Sequence, residues 1–323
     1  MEISIIGPGA VGTLLGGLLR MKGHGVTLLG RRPAAPPGRN FRIILPSQWL
    51  LVEGVQEKDQ ADHAEKPDAF LFTLGRHHLH AFRRPDFLHL IGKGDAPVVM
   101  FNCDSTEPER LAVPAERLRF GLTLMHAVKL QDGEVELPTA SPAIIAERSP
   151  VIDNCIKQLG GFGFQFMAVD DATPYMDSFF ITQLLYLPVA MCNLTLPVFL
   201  ASPEGRELAL SILREGFLTM ERLGRPLARL PMMDPRDLAA RIEKKPASFE
   251  SGRDRPDRSY NSVLQSYLRG KPTEAAQLNR KAVEMASATG LHLAWNWRVF
   301  QKAGRVASLG FYRDPAELLK ALV

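Results

Sequence analysis

Cysteine is scarce in this 323-residue chain: Cys103, Cys155 and Cys192 are its three, far apart and without a CxxC. Neither a disulfide framework nor a thiolate zinc site is expected, and a reducing cytoplasm suits such usage. The amino terminus lacks the basic region of a secretion signal, since Glu2 leads directly into a strand-like run, so a cytoplasmic location is expected. Zinc spacing, RNP-like aromatics and clustered basic runs are also missing, and nucleic acid is therefore not an expected partner. The formal net charge of +4 and the pI of about 9.0 suit small anionic ligands instead. Ser178 to Pro203 holds no charged residue and is long enough to span a bilayer. Gln183, Pro188, Asn193 and Pro197 interrupt it and basic anchors do not flank it, so it is expected to be a helix buried by protein on all sides. Repeats and low-complexity tracts are absent.

What is present starts at once. Ile3 to Ile6 reads as a strand, Gly7-Pro8-Gly9-Ala10-Val11-Gly12 as a glycine turn, and the apolar run through Leu19 as a helix. In such a GxGxxG arrangement the first glycine permits the tight turn, the second lets backbone approach a pyrophosphate, and the third lets helix lie against sheet. The first amides of the helix then face the phosphates. A second strand, Val26 to Leu29, follows at the right distance. The stretch therefore predicts a dinucleotide site.

One further absence bears on which dinucleotide. An NAD site of this type places a carboxylate on the ribose hydroxyls, about 20 residues beyond the glycines. From Ile3 to Val52 there is no carboxylate, and the second strand instead ends in Gly30-Arg31-Arg32. Two guanidiniums suit a 2′-phosphate, which they can bind bidentately. The cofactor expected is NADP(H).

The length favours two domains. Pro33 to Arg39 reads as a loop, Phe41–Leu45 and Trp49–Val52 as short strands, and the continuous apolar runs 68–74 and 97–102 as buried parallel strands. Ligands lie beyond the carboxyl ends of such strands, so Gly75-Arg76 and Asn102-Cys103-Asp104 are placed to meet the nicotinamide half. Arg117 to Met125 is a further strand, and the Asp132-Gly133 turn makes a hairpin with Glu134 to Leu137. A helix from Pro150 to Leu159 and a strand from Phe164 to Val169 complete an α/β domain over residues 1–170. Residues 171–323 read as all-α, with helix starts marked at Ser202-Pro203-Glu204, Asp234-Pro235-Arg236-Asp237 and Asp314-Pro315-Ala316-Glu317. The charged stretch 251–258 interrupts them as a loop.

Taken together these features resemble the ketopantoate reductase (2-dehydropantoate 2-reductase) family. The likeness rests on Gly7-x-Gly9-x-x-Gly12, on Arg31, on Asn102 ending a strand, and on the run from Ser262 to Glu274, which is similar to the family's Ser-Met-x-Gln-Asp followed by Gly-Arg-x-Thr-Glu. The resemblance implies a Rossmann-type domain joined to a helical domain. It implies NADPH-dependent reduction of a 2-oxo acid, and pantothenate biosynthesis as the pathway. By the same carry-over, Asn102 contacts nicotinamide ribose and substrate, Ser262 holds the substrate carboxylate, and Glu274 sits by the reacting hydroxyl. Glu274 also begins a helix running to about Ala288, where the dipole favours a carboxylate in any case.

The chain departs from the family on the substrate side. The resemblance implies a proton-donating lysine early in the first long helix of the second domain, and that position is Phe179. There is no lysine between Lys157 and Lys244, so a shift in register does not recover one. Gln183 and Leu187 replace asparagine-type positions, Ser266 an aspartate, and Gly75 a lysine beside Arg76. Hydride addition builds negative charge on oxygen, and losing its acid typically costs roughly 10² to 10⁴ in rate. Tyr175, Asp177, Ser178 and His126 are candidate replacements, each with an ordinary alternative as cap or core residue. His77-His78-x-His80 lacks an Asp, Glu or Cys partner motif, and no metal is expected. Three readings stand open: a reductase of this type with altered substrate or donor, authentic 2-dehydropantoate reduction by another acid, and a non-catalytic NADP(H)-binding protein. The partner expected is a small anion such as a 2-oxo acid, without a membrane, and a homodimer is left open.

Overall fold

The computed structural model describes residues 1–30, 39–59, 66–74, 91, 94–103, 113–131, 133–244, 263–264 and 275–323. They form two compact units, Met1–Met176 and Asp177–Val323. The division falls inside a helix, six residues beyond the expected boundary at 170.

The first unit is built on an 11-stranded sheet in the order β11-β10-β7-β6-β5-β1-β2-β4-β3-β9-β8. At its centre stand β1 (Glu2–Ile6), β2 (Gly25–Gly30), β5 (Ala69–Phe72), β6 (Val98–Phe101) and β7 (Leu118–Leu124), each parallel to its neighbour. Both faces of these strands are covered, which is why they read as continuous apolar runs. Alternate side chains go to different cores: Ile3, Ile5, Leu28 and Leu71 pack on one face, Ile6, Leu29, Phe70 and Phe72 on the other. Helix α1 (Ala10–Met21) lies on the first face and buries Leu14, Leu15, Leu18 and Leu19, each contributing about 1.5–3 kcal/mol.

Beyond β2 come β4 (Gln48–Asp59) and β3 (Arg39–Leu45), then β9 (Glu134–Glu136) and β8 (Val128–Gln131). β4 is far longer than the expected 49–52. Its first part pairs antiparallel with β3, and after Gly54, at φ +70°, its second part pairs parallel with β2 through Gln56 to Asp59. On the other side, β10 (Ala143–Glu147) and β11 (Gln165–Val169) are joined by α2 (Pro150–Lys157) and a 3₁₀ turn over 158–162.

The second unit is helical. It comprises the end of α3 (Thr173–Gln183), then α4 (Tyr186–Met191), α5 (Leu196–Ala201), α6 (Pro203–Arg222), α7 (Pro235–Lys244), α8 (Ala275–Ser287), α9 (Ala294–Leu309) and α10 (Pro315–Leu322). The proline starts hold. Ser202 accepts from Gly205 N at 2.9 Å and Asp314 from Glu317 N at 2.8 Å, while Asp234 precedes α7.

The uncharged stretch 178–203 is not the single helix expected. It is broken into three pieces, all packed into the helical core, and among the described residues no helix is long and apolar enough to cross a membrane. Pro188 is one cause, because it lacks the amide that would bond the carbonyl of Leu184. Asn279 Nδ2 donates to that carbonyl instead, at 3.1 Å, and also meets Asn296 Oδ1 at 2.9 Å. Asn296 Nδ2 in turn donates to Glu215 Oε2 at 2.7 Å. The same carboxylate accepts from the amides of Trp295 and Asn296 and so caps α9 from another helix.

Candidate functional site

The site starts where β1 ends. β1 has β2 on one side and β5 on the other, so the strand order reverses there, and in open α/β sheets ligands bind beyond the carboxyl ends of the strands at such a point. Gly7 leaves the strand at φ +99°, a left-handed conformation that side chains rarely adopt. Its amide donates to Leu29 O at 3.1 Å, and its carbonyl accepts from Gly9 N at 2.7 Å and from Thr73 Oγ1 at 2.8 Å.

Gly12 is buried against this turn. A Cβ there would run into the Gly7 carbonyl and lie 2.5 Å from Thr73 Oγ1. Gly9 is the opposite case: it is exposed, and no atom lies within 4 Å of where its Cβ would stand. It is also the N-cap of α1, without a side-chain capping bond and with no acid in the first turn. The amides of Ala10, Val11 and Gly12 belong to the first helical turn, which lacks internal acceptors. With Pro8, Ala10 and Val11 half-buried around it, the turn is an open cradle of N–H groups at the positive end of a helix. Such a turn is chemically suited to an anion such as a phosphate group.

Asn102 follows β6 directly, in a left-handed conformation, φ +57°. Its backbone amide donates to Gly121 O at 3.0 Å, its Oδ1 accepts from Thr123 N at 2.9 Å, and its Nδ2 donates to Thr123 Oγ1 at 2.7 Å. Because Thr123 N can only donate, the orientation of the amide is determined. Among the described residues, one Nδ2 hydrogen is left over. Thr73 and Thr123 were not singled out from the sequence, though each is a polar residue within an otherwise apolar strand run, and that was the available signal.

Arg31, Arg32, Gly75, Arg76, Asp104, Ser262, Ser266 and Glu274 lie outside the described residues, as do His77, His78 and His80. Cys103 is buried. Burial likewise pushes the Cys155 and Cys192 thiols up to about 12, which keeps them protonated. An open depression of about 390 Å³ is lined by Arg119, Glu147, Arg148, Asp170 and Asp171. It belongs to the β7–β10–β11 side of the sheet, and its charges serve each other and the backbone: Arg148 pairs with Asp170 at 2.8 Å, and Glu147 accepts from Phe120 N at 3.0 Å.

On α3 and α4 the side chains are of another kind. Phe179 is 6% exposed and Leu187 fully buried, while Gln183 is half-buried. Asp177 receives two guanidinium bonds from Arg225, both 2.7 Å, and Ser178 Oγ donates to Ala228 O at 2.6 Å. His126, half-buried, follows β7, with its backbone amide bonded to Thr139 Oγ1 at 2.9 Å.

Comparison with known proteins follows the same division of the chain. A family model described as Ketopantoate reductase PanE/ApbA matches residues 3–149, and its C-terminal companion matches 181–306. A 2-dehydropantoate 2-reductase from Pyrococcus horikoshii is 24% identical, over 96% of this chain and 99% of its own. Among solved structures, a 2-dehydropantoate 2-reductase from Geobacter metallireducens superposes with a TM-score of 0.77 at 16% identity, over 95% of this chain and all of its own. A D-mandelate dehydrogenase solved with NADH and anilino(oxo)acetate gives 0.75 at 15%, over the whole of both chains. With both halves of the family pattern matched in order, on a Rossmann-like α/β domain followed by a helical one, the chain belongs to the ketopantoate reductase PanE/ApbA family of oxidoreductases.

Proposed function

We propose that this protein is an NADPH-dependent oxidoreductase that reduces a 2-oxo acid or related carbonyl, with a substrate or proton donor that departs from 2-dehydropantoate reduction. The observation that carries the reading is the open amide cradle of Gly7 to Gly12 at the point where the strand order reverses. Arg31 and Arg32 follow β2 in sequence where a carboxylate would select NADH, and they support the 2′-phosphate. The dehydrogenase neighbour holds NADH, so the preference for NADPH rests on these arginines alone.

When bound, the nicotinamide supplies a hydride to the substrate carbonyl. The chain's own tasks are then to hold and orient. In this reading Gly75 and Arg76 line the nicotinamide side, Asn102 offers its remaining Nδ2 hydrogen to ribose or substrate, Ser262 binds the substrate carboxylate, and Glu274 sits beside the nascent hydroxyl. The pinning of the Asn102 amide by Thr123 supports such a role, because an oriented donor need not be reorganised during reaction. The protein works in the cytoplasm, on a small anion, without membrane or nucleic acid.

Calorimetry with NADPH and NADH, followed by NADPH oxidation across a panel of 2-oxo acids that includes 2-dehydropantoate, tests the proposal. Tighter binding of NADPH and turnover of at least one acid are expected. Fast turnover of 2-dehydropantoate above all others would identify an authentic 2-dehydropantoate 2-reductase using another acid. A second reading, a non-catalytic NADP(H)-binding protein, is favoured by the buried Phe179 in a lysine-free segment. Binding with no turnover would select it.

A further inference from the structure

Reduction of a keto group moves the carbonyl π pair onto oxygen, and a proton must arrive there. The side chains of α3 compete for that task. Phe179 has no proton to give, and the nearest polar side chains on the helix are engaged elsewhere in the fold, Thr182 Oγ1 donating to Met233 O at 2.9 Å. Asp177 uses both oxygens on Arg225, at 2.7 Å each, and Ser178 donates its hydroxyl proton to Ala228 O at 2.6 Å.

Tyr175 differs from both. It is half-buried, and among the described residues its hydroxyl has no hydrogen-bond partner. It precedes Phe179 by four residues, so the two share one face of α3, a turn apart. It also stands one residue before Met176, where the first compact unit ends and α3 continues into the second.

We propose that Tyr175 is the catalytic acid, delivering its phenolic proton to the keto oxygen of a 2-oxo acid. The assignment rests on the reductase reading above. A C–H bond forms at the keto carbon with hydride from NADPH, which is oxidised to NADP⁺. The C=O π bond breaks, an O–H bond forms as the phenolic O–H breaks, and water reprotonates the phenolate. The product is a 2-hydroxy acid.

Tyr175→Phe removes one oxygen and leaves the ring. We expect kcat to fall by about 10² to 10⁴. The Kd for NADPH should stay within about threefold of wild type, whereas the 2-hydroxy acid should bind the NADP⁺-loaded protein about tenfold more weakly, since one hydrogen bond is lost. Lys281→Met serves as the rival variant, because Lys281 Nζ, on α8, lies 5.8 Å from the ring centroid of Phe180, the residue after Phe179 on α3. Turnover within threefold of wild type in Tyr175→Phe, or the loss seen in Lys281→Met and not in Tyr175→Phe, overturns the assignment and leaves the reductase reading intact. Absence of any turnover in the wild-type protein removes both.

Discussion

The turn after β1 and the helices from 173 to 191 are the two places where chemistry was expected, and they are built on opposite terms. In the turn the groups that matter are backbone: a left-handed Gly7, a Gly12 with no room for a side chain, and uncapped amides opening at Gly9. In the helices the chemistry would have to come from side chains, and around Phe179 those are apolar or, like Asp177 and Ser178, committed to structural bonds, which leaves the Tyr175 hydroxyl. On the proposed function, gripping a dinucleotide and protonating a substrate are thus separable tasks. A chain can keep the first in one unit while changing the second on a helix that leads into the other.

The sharpest way to break this comparison is Gly12→Val. Its side chain would collide with the Gly7 carbonyl and Thr73, so NADPH affinity should fall by more than about 100-fold, with unit-one stability reduced by about 1–3 kcal/mol. Unchanged affinity in calorimetry would move the cofactor away from this turn. Arg31→Glu comes next. Reversing the charge should weaken NADPH by about 100-fold and NADH by less than about threefold, and equal weakening would put the 2′-phosphate elsewhere.

Asp177→Ala probes the other region. It strands Arg225, whose partner carboxylate is 9% exposed, and should cost about 3 kcal/mol in chemical denaturation. The Kd for NADPH should barely move, and a large change would contradict the separability argued above.

The smallest effect expected is a difference in acid response. Burial, with the nearby amino terminus, lowers the His24 pKa below 6.5, while Gln158 pulls the other way. The unfolded chain therefore takes up this proton first, and the stability of the first unit should decline as pH falls below about 6.5, levelling off once the folded-state value is passed. In the second unit burial raises the Asp234 pKa, but hydrogen bonds from Arg236 and the Leu230 amide outweigh it and leave a net depression. That contribution is present above about 3.9 and lost as pH falls through the depressed value. Amide exchange at pH 5 should accordingly rise around His24 before it rises around Asp234. The reverse order would mean that other groups govern the response.

Much of the frame was legible in the residues. Strand, glycine turn and helix at residues 2–21 obey local rules of sterics and periodicity, as do the starts of α6, α7 and α10 at Ser202-Pro203, Asp234-Pro235 and Asp314-Pro315. Residue pattern alone gives β4 only 49–52, because Glu57, Lys58 and Asp59 do not look like strand residues until β2 is beside them. The uncharged pattern of 178–203 points to one helix, because prolines announce a break without saying what will satisfy the carbonyls they free.

The amino-acid sequence by itself determined the α/β-then-helical order, the glycine cradle and the absence of acid after β2, because each depends on residues near one another in the chain. Only the tertiary structure decided that Asn102 is locked by Thr123, that Leu184 O is answered by Asn279, and that Asp177 belongs to Arg225. Those partners lie 21, 95 and 48 residues apart. Folding brings such pairs together, and the need to satisfy every buried polar group selects which of them bond.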